Sequence, residues 1–81
     1  MNIIYSKQVV KAISRMDSAT KQRIKIAIEQ LPDGDTKQIK GRSIATYRLR
    51  VGSWRVLYSF DDNGTICIEK VAPRGEVYKG V

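Results

Sequence analysis

Residues 47–58 read YRLRVGSWRVLY, and this stretch decides the fold because apolar side chains recur at every second position on both sides of Gly52-Ser53. A period of two is typical of β-strands. Gly52-Ser53 predicts the turn of a hairpin, in which Val51 pairs with Trp54 and Arg50 with Arg55. The face that such a hairpin would bury carries Tyr47, Leu49, Val51, Trp54, Val56 and Tyr58.

A third strand is expected after a second turn. Asp61-Asp62-Asn63-Gly64 is a strong hairpin signal, because Asn-Gly tolerates the positive φ that hairpin turns demand. Residues 65–71 then carry a nearly continuous apolar run, which is typical of a central strand covered on both faces. The sequence therefore predicts a three-strand antiparallel meander, with the register of its last strand left open.

Two amphipathic helices are predicted ahead of the meander. Ser6 suits the N-cap of the first helix, and either Asp17 or Ser18 suits that of the second. Pro32 ends the second helix, because the residue before a proline resists the α region. Helical spacing gives the first helix an apolar face of Val9, Val10, Ile13 and Met16, and the second helix a face of Thr20, Ile24, Ala27, Ile28 and Leu31.

The remaining segments complete an α+β fold. Residues 1–5 are a short apolar start that suits an edge strand, and residues 32–43 are expected to form a loop. The predicted order is a strand, a helical hairpin and the meander, which gives a small twisted sheet with both helices packed on one face. At 81 residues the chain fits a single domain over 1–81. A domain of this size buries only about 60% of its unfolded surface, so a stabilising partner is expected.

Composition excludes several classes of protein. The chain has no histidine and one cysteine, which excludes His-based catalysis, an intramolecular disulfide and a zinc site. We therefore expect neither a metal nor a cofactor. No apolar run approaches the roughly 20 residues of a membrane span, and the N-terminus has no signal-peptide pattern. The sequence predicts a cytoplasmic protein without a membrane partner.

The net charge of +7 is concentrated in one part of the chain. The stretch from Lys40 to Tyr58 contains no acidic residue, and its basic residues are Lys40, Arg42, Arg48, Arg50 and Arg55. Strand parity places Arg48, Arg50 and Arg55 together on the face opposite the apolar one. Because like charges directly opposite each other destabilise a sheet, a polyanion is the simplest explanation. The alternative is that this strand face is exposed to water and basic without binding any polyanion.

The chain resembles a known family at this point. The string YRLRVGSWRVLY, the turn at residues 61–64 and the spacing Val71-x-x-Arg74-x-x-x-Tyr78 resemble the RelE/ParE toxin superfamily over essentially the whole sequence. The terminal pair of Arg74 and Tyr78 favours the RelE branch. The resemblance implies the toxin of a toxin–antitoxin pair that cuts mRNA in the ribosomal A site. It also implies metal-independent attack of a ribose 2′-OH on the adjacent phosphate.

The resemblance implies specific residues and partners. The implied catalytic residues are Arg48, Arg50, Arg55, Arg74 and Tyr78. Contacts to RNA or the ribosome are expected from Lys40, Arg42, Lys21, Arg23 and Lys25. Some RelE toxins carry lysines where this chain has Arg48 and Arg50, and arginine is a poor base because its pKa exceeds about 12. The general base is therefore open, with Tyr78 as one candidate. The expected partners are mRNA, the ribosome and a cognate antitoxin, acidic in charge and wrapped around the toxin.

Two other functions stay open. A ParE-like toxin would inhibit DNA gyrase without any nuclease site, so Arg74→Ala and Tyr78→Phe would leave its toxicity intact. A non-catalytic RNA-binding module would show salt-sensitive RNA binding without cleavage.

Overall fold

The computed structural model describes residues 2–76. Its elements are β1 (Ile3–Tyr5), α1 (Lys7–Ser14), α2 (Ser18–Glu29), β2 (Thr36–Ile39), β3 (Thr46–Val51), β4 (Trp54–Phe60) and β5 (Ile66–Pro73). The strands form one five-stranded sheet in the order β1-β5-β4-β3-β2. The β1 strand is parallel to β5 and the other neighbours are antiparallel. The α+β class and the edge position of β1 are confirmed.

Both helices begin at the caps that the sequence indicates. The Ser6 hydroxyl accepts a hydrogen bond from the backbone N–H of Val9 at 3.1 Å. The Asp17 carboxylate accepts one from the backbone N–H of Thr20 at 3.3 Å, so Asp17 rather than Ser18 caps α2. Hydrogen bonding from the side chain of Thr20, and then from its backbone N–H, holds the pKa of Asp17 below its ordinary value. None of the described helices is long and apolar enough to cross a membrane.

The core lies between the two helices and one face of the sheet. Its buried side chains are Val9, Ile13, Ile24, Ile28, Leu31, Leu49, Val56, Tyr58, Ile66, Ile68 and Val71. Tyr47, Val51 and Trp54 pack against this cluster, so the apolar face predicted for residues 47–58 is confirmed. One helical assignment is wrong, since Val10 is 55% exposed. Successive helical residues lie about 100° apart, so α1 buries Val9 and turns Val10 outward.

The β3–β4 hairpin has the predicted register, with Val51 opposite Trp54 and Arg50 opposite Arg55. Gly52 adopts a φ of +58°, which favours glycine. A Cβ at this position would also lie 2.9 Å from the Nη2 atom of Arg23, because the Arg23 guanidinium of α2 lies against the turn. Glycine at position 52 is thus favoured by the backbone conformation, and it also leaves room for the Arg23 guanidinium.

The last strand, β5, contains an irregularity that explains its apolar run. Leu57 pairs with Lys70 while Tyr58 pairs with Ile68, so Glu69 is an extra residue in β5. This bulge returns Val71 to the core face and leaves Lys70 on the opposite face. Only one face of β5 is fully buried, and Glu69 is exposed. The expectation of burial on both faces is therefore wrong.

Residues 36–39 form the edge strand β2 where the sequence predicts only a loop. The β2 strand pairs with β3, and Lys37 lies opposite Arg48 while Ile39 lies opposite Thr46. The antiparallel meander therefore has four strands and not three. The prediction failed because TKQI contains one apolar residue and cannot show a period of two. Pairing to β3 holds this polar edge strand in place.

The two constraints on Gly52 predict different costs for two glycine substitutions. Gly64 also has a positive φ, of +80°, but a Cβ there would meet nothing within 4 Å. Gly64→Ala therefore costs only the backbone strain, about 1 kcal/mol. Gly52→Ala should cost slightly more in urea unfolding, because the flexible guanidinium end of Arg23 must also shift. In an Arg23→Ala background the additional loss of unfolding free energy at Gly52 should disappear. Equal losses of unfolding free energy for Gly52→Ala and Gly64→Ala would show that the contact with Arg23 has no effect.

Candidate nucleic-acid interface

The sheet face opposite the helices carries basic side chains in two adjacent rows. In one row Lys37 of β2 lies opposite Arg48 of β3, which is followed across the sheet by Leu57 and Lys70. In the next row Arg50 lies opposite Arg55, which is followed by Ala72. We call this surface the basic face, and its cations are Lys37, Arg48, Arg50, Arg55 and Lys70. The predicted shared face of Arg48, Arg50 and Arg55 is confirmed.

An open groove of about 600 Å³ lies on the β2–β3 side of the basic face. Its lining residues are Lys37, Gln38, Ile39, Lys40, Arg48 and Arg50. Four of the six are cations and none is acidic. This cationic groove is open to solvent, and its charge suits the phosphates of a nucleic-acid backbone.

Arg50 is held by an acidic neighbour just before β2. Its Nε donates to the Asp35 carboxylate at 2.5 Å, and its backbone N–H donates to the Asp35 carbonyl at 2.9 Å. Both side chains are about half exposed, at 53% and 46%. Because the ion pair engages Nε, the two terminal nitrogens of the guanidinium are left to bind an anion. Asp35 thus orients Arg50 and places a negative charge beside the cationic groove.

Arg55 has a role in the hairpin itself. The residue is 7% exposed, and its Nη1 donates to the carbonyl oxygens of Gly52 and Trp54 at 2.8 Å each. These bonds satisfy a buried charge that would otherwise be costly. Arg55 therefore stabilises the turn in addition to any contact that the rest of its guanidinium makes with an anion.

Two more arginines reach the same turn. The backbone N–H of Arg74 donates to the Ser53 carbonyl at 2.8 Å, and Arg74 itself is exposed. The Arg23 guanidinium lies against Gly52 from α2. We call Arg23, Arg55 and Arg74 the turn cluster, because three separate elements bring them to the β3–β4 turn. It lies at the end of the basic face beside Arg50.

The other predicted contact residues lie in different places. Lys40 lines the cationic groove. Arg42 follows in the β2–β3 connection, where its Nη2 is buried with no hydrogen-bond partner among the described residues. Lys21 and Lys25 lie on α2, where they line a separate depression with Tyr5, Val10 and Ile13. Tyr78 lies outside the described residues.

Sequence reasoning missed two cations of the basic face, Lys37 and Lys70. Lys37 was missed because β2 was taken for a loop, although its spacing of two from Ile39 is compatible with a strand. Lys70 was missed because the bulge at Glu69 changes which residues of β5 face the core. The pairing of Asp35 with Arg50 also had no signal in the sequence, because it depends on where β2 begins.

The core tyrosine Tyr58 is not available for proton transfer on the basic face. It lies on the helix-covered face, stacked on Tyr47 with ring centroids 5.4 Å apart. Burial raises the pKa of Tyr58 above its ordinary value, so the phenol stays neutral. Tyr58 therefore cannot act beside the arginines and lysines of the basic face, which lie on the other side of the sheet.

Comparison with known proteins identifies the family of the chain. Residues 3–78 match the family model of the ParE toxin of type II toxin–antitoxin systems, parDE. This chain belongs to the RelE/ParE superfamily of toxins. The toxin is 31% identical to Toxin RelE3 of Methanocaldococcus jannaschii over 87 aligned positions, which cover 96% of each protein.

Two solved structures share the fold of the toxin. The archaeal RelE-RelB complex from Pyrococcus horikoshii OT3 matches with a TM-score of 0.73 and 31% identity, covering 91% of this chain and 94% of that one. The RelB-RelE antitoxin-toxin complex from Methanococcus jannaschii matches with a TM-score of 0.75 and 28% identity, covering 93% and 94%. The toxin is thus RelE-like in both sequence and fold.

The different surroundings of Arg55 and Arg48 predict different effects on stability. Arg55→Ala removes the donor from two carbonyls at the turn and should cost about 1–2 kcal/mol. Arg48→Ala removes a half-buried cation from a row of like charges and should change stability by less than about 0.5 kcal/mol. Urea unfolding measures both. Equal losses would contradict the structural role of Arg55.

Proposed function

We propose that this toxin is a ribosome-dependent endoribonuclease that cuts mRNA in the ribosomal A site. The observation that carries the proposal is the cationic groove, where Lys37, Lys40, Arg48 and Arg50 line an open surface with no acid among the lining residues. The turn cluster extends this charge to the β3–β4 turn. An RNA strand following this path would meet guanidinium groups at successive phosphates.

The proposed chemistry is attack of a ribose 2′-OH on the adjacent phosphorus. The new bond joins the 2′-oxygen to phosphorus, and the bond from phosphorus to the 5′-oxygen breaks. The products are a 2′,3′-cyclic phosphate and a 5′-OH, so one proton leaves the 2′-OH and one joins the 5′-oxygen. Negative charge grows on the phosphoryl oxygens in the transition state, where bidentate guanidinium contacts stabilise it more than the ground state. No metal is required for this step.

Residue roles follow from exposure and existing bonds. Arg50, oriented by Asp35, and the exposed Arg74 are the proposed phosphate contacts. Arg48 supports them from the groove, and Arg55 holds the turn that positions Arg74. Tyr78 is proposed as a base for the 2′-OH or as a stacking partner for a nucleobase. Contacts to RNA or the ribosome are proposed for Lys40, Arg42, Lys21, Arg23 and Lys25.

Dependence on the ribosome is expected because the toxin has few side chains suited to act as a general acid or base. The chain has no histidine, and the basic face offers arginines and lysines. A site of this kind gains most from a substrate that is already held in the reactive geometry. The ribosome fixes the A-site mRNA, so it would supply that geometry.

A cognate antitoxin is the second proposed partner. The similar solved structures are complexes of RelE with RelB, which supports an antitoxin for this chain. The net charge of +7 favours an acidic antitoxin that wraps the toxin. The exposed apolar side chains Ile4, Val10 and Ile26 offer additional area for it. Binding would stabilise the small domain by mass action.

Inhibition of DNA gyrase is the second candidate function. The observation that favours it is the match of residues 3–78 to the ParE family model. This function requires no attack on a phosphate, so Arg74 would be dispensable for toxicity.

Primer extension on an mRNA in programmed ribosomes separates the two functions. Wild-type toxin should produce discrete A-site cuts. Arg74→Ala should reduce them at least about 100-fold, because it removes a guanidinium that is proposed to stabilise the transition-state charge. Arg15→Ala, which removes the same charge from the exposed end of α1, serves as the matched control and should cut normally.

Growth assays complete this test. If the toxin arrests growth without cutting mRNA, and Arg74→Ala still arrests growth, the nuclease proposal is overturned and inhibition of DNA gyrase is favoured. Salt-sensitive RNA binding with neither cuts nor arrest would favour a non-catalytic RNA-binding module.

Removal of the Asp35 charge should tighten RNA binding. Asp35→Asn removes the negative charge beside the cationic groove, so this charge no longer offsets the attraction of Arg50 for a phosphate. We expect affinity for single-stranded RNA to rise severalfold at low salt, and the gain to shrink as salt screens the groove. Filter binding across a salt series measures this. Asp62→Asn makes the same charge change at the β4–β5 turn, and an equal gain there would show that net charge alone is responsible.

A further inference from the structure

The proposed reaction leaves one proton without a donor. The 5′-oxygen departs as an alkoxide unless it receives a proton as its bond to phosphorus breaks. Arginine is a poor donor because its pKa is above about 12, whereas the ordinary pKa of lysine is about 10.4. A lysine ammonium is therefore the better acid among the side-chain types on the basic face. Within the cationic groove, the lining residues with such a proton are Lys37 and Lys40.

Register distinguishes Lys37 from the other lysines. Lys37 lies directly opposite Arg48 on the neighbouring strand, and residues paired in this way have Cβ atoms about 4.5–5.5 Å apart. Lys40 follows the end of β2 and has no cross-strand partner in β3. Lys70 is two strands from Arg48, about 10 Å away, and has an interaction of its own. Lys37 is thus the lysine that is the direct cross-strand neighbour of Arg48.

The surroundings of Lys37 suit a proton donor. The residue is exposed on an edge strand, so its long side chain reaches into the groove and regains a proton from water. Arg48 lies beside it, and Arg50, a proposed phosphate contact, lies two residues along β3 in the same groove lining. The arginines supply fixed positive charge, and the lysine supplies a proton that they do not readily release.

We propose that Lys37 is the general acid of the cleavage reaction, an inference that rests on the proposed nuclease function. As the bond from phosphorus to the 5′-oxygen breaks, one N–H bond of the Lys37 ammonium breaks and an O–H bond forms at the 5′-oxygen. Lys37 is left as a neutral amine and is reprotonated by water. The proton of the 2′-OH departs separately, to Tyr78 or to water, so protons and electron pairs balance.

The test compares two linkages in the same mRNA position. One is the natural phosphodiester; the other is a phosphorothiolate, in which sulfur replaces the bridging 5′-oxygen. A thiolate leaves without protonation, so the second linkage does not need a general acid. Single-turnover cleavage in programmed ribosomes is measured for wild type and variants on both linkages.

Lys37→Arg is the decisive variant because it keeps the positive charge and removes the readily released proton. We expect it to cut the natural linkage about 100-fold more slowly than wild type, and the phosphorothiolate within about threefold of wild type. Lys37→Gln should show the same selective rescue with a somewhat lower rate on both linkages. Lys40→Gln, which removes the same charge from the same groove, should slow both linkages to an equal extent.

Other outcomes overturn the inference. Equal slowing of both linkages by Lys37→Arg would give Lys37 a role in binding or positioning only. Unchanged cleavage by Lys37→Arg and Lys37→Gln would remove it from the reaction. Failure of wild-type toxin to cut either linkage would instead refute the nuclease function itself, so the two failures are distinguishable. Urea unfolding of each variant verifies that the rate effects come from folded protein.

Discussion

Burial of the apolar face of the β3–β4 hairpin is the constraint on which the rest of the structure depends. Leu49, Val56 and Tyr58 are almost completely buried under the helices. Each such burial contributes about 1.5–3 kcal/mol. The repulsion between Arg50 and Arg55 across the strands costs no more than about 1 kcal/mol. Since a slip by one residue would turn the arginines into the core, the register that crowds them on one face is the stable one.

The crowded charges are accommodated by two local interactions. Arg55 donates to the carbonyls of its own turn, and Arg50 pairs with Asp35. The hairpin therefore does not require an external anion in order to fold. Lys37 and Arg48 instead line the open groove, where a ligand can reach them. The same register that satisfies the core thus produces a surface with positive charge in excess.

The parts of the fold that were predictable are those with a strong local pattern. The alternation in residues 47–58 and the caps at Ser6 and Asp17 are short-range signals, and the structure confirms them. The β2 strand could not be recognised, because a polar edge strand is held by pairing to its neighbour and not by burial of its own side chains. The same holds for the candidate site. Strand parity predicts that Arg48, Arg50 and Arg55 share a face, whereas the position of Lys37 depends on a long-range register.

Asp35 connects this architecture with control of the proposed activity. It places one carboxylate against Arg50, next to a groove whose lining residues carry no acid. A carboxylate and a phosphate oxygen make the same kind of charge-assisted bond to a guanidinium. An acidic antitoxin segment that reached this groove would therefore extend an interaction that Asp35 already makes. On the proposed function, inhibitor and substrate would compete for the same terminal nitrogens of Arg50, and the basic face would bind only one of them at a time.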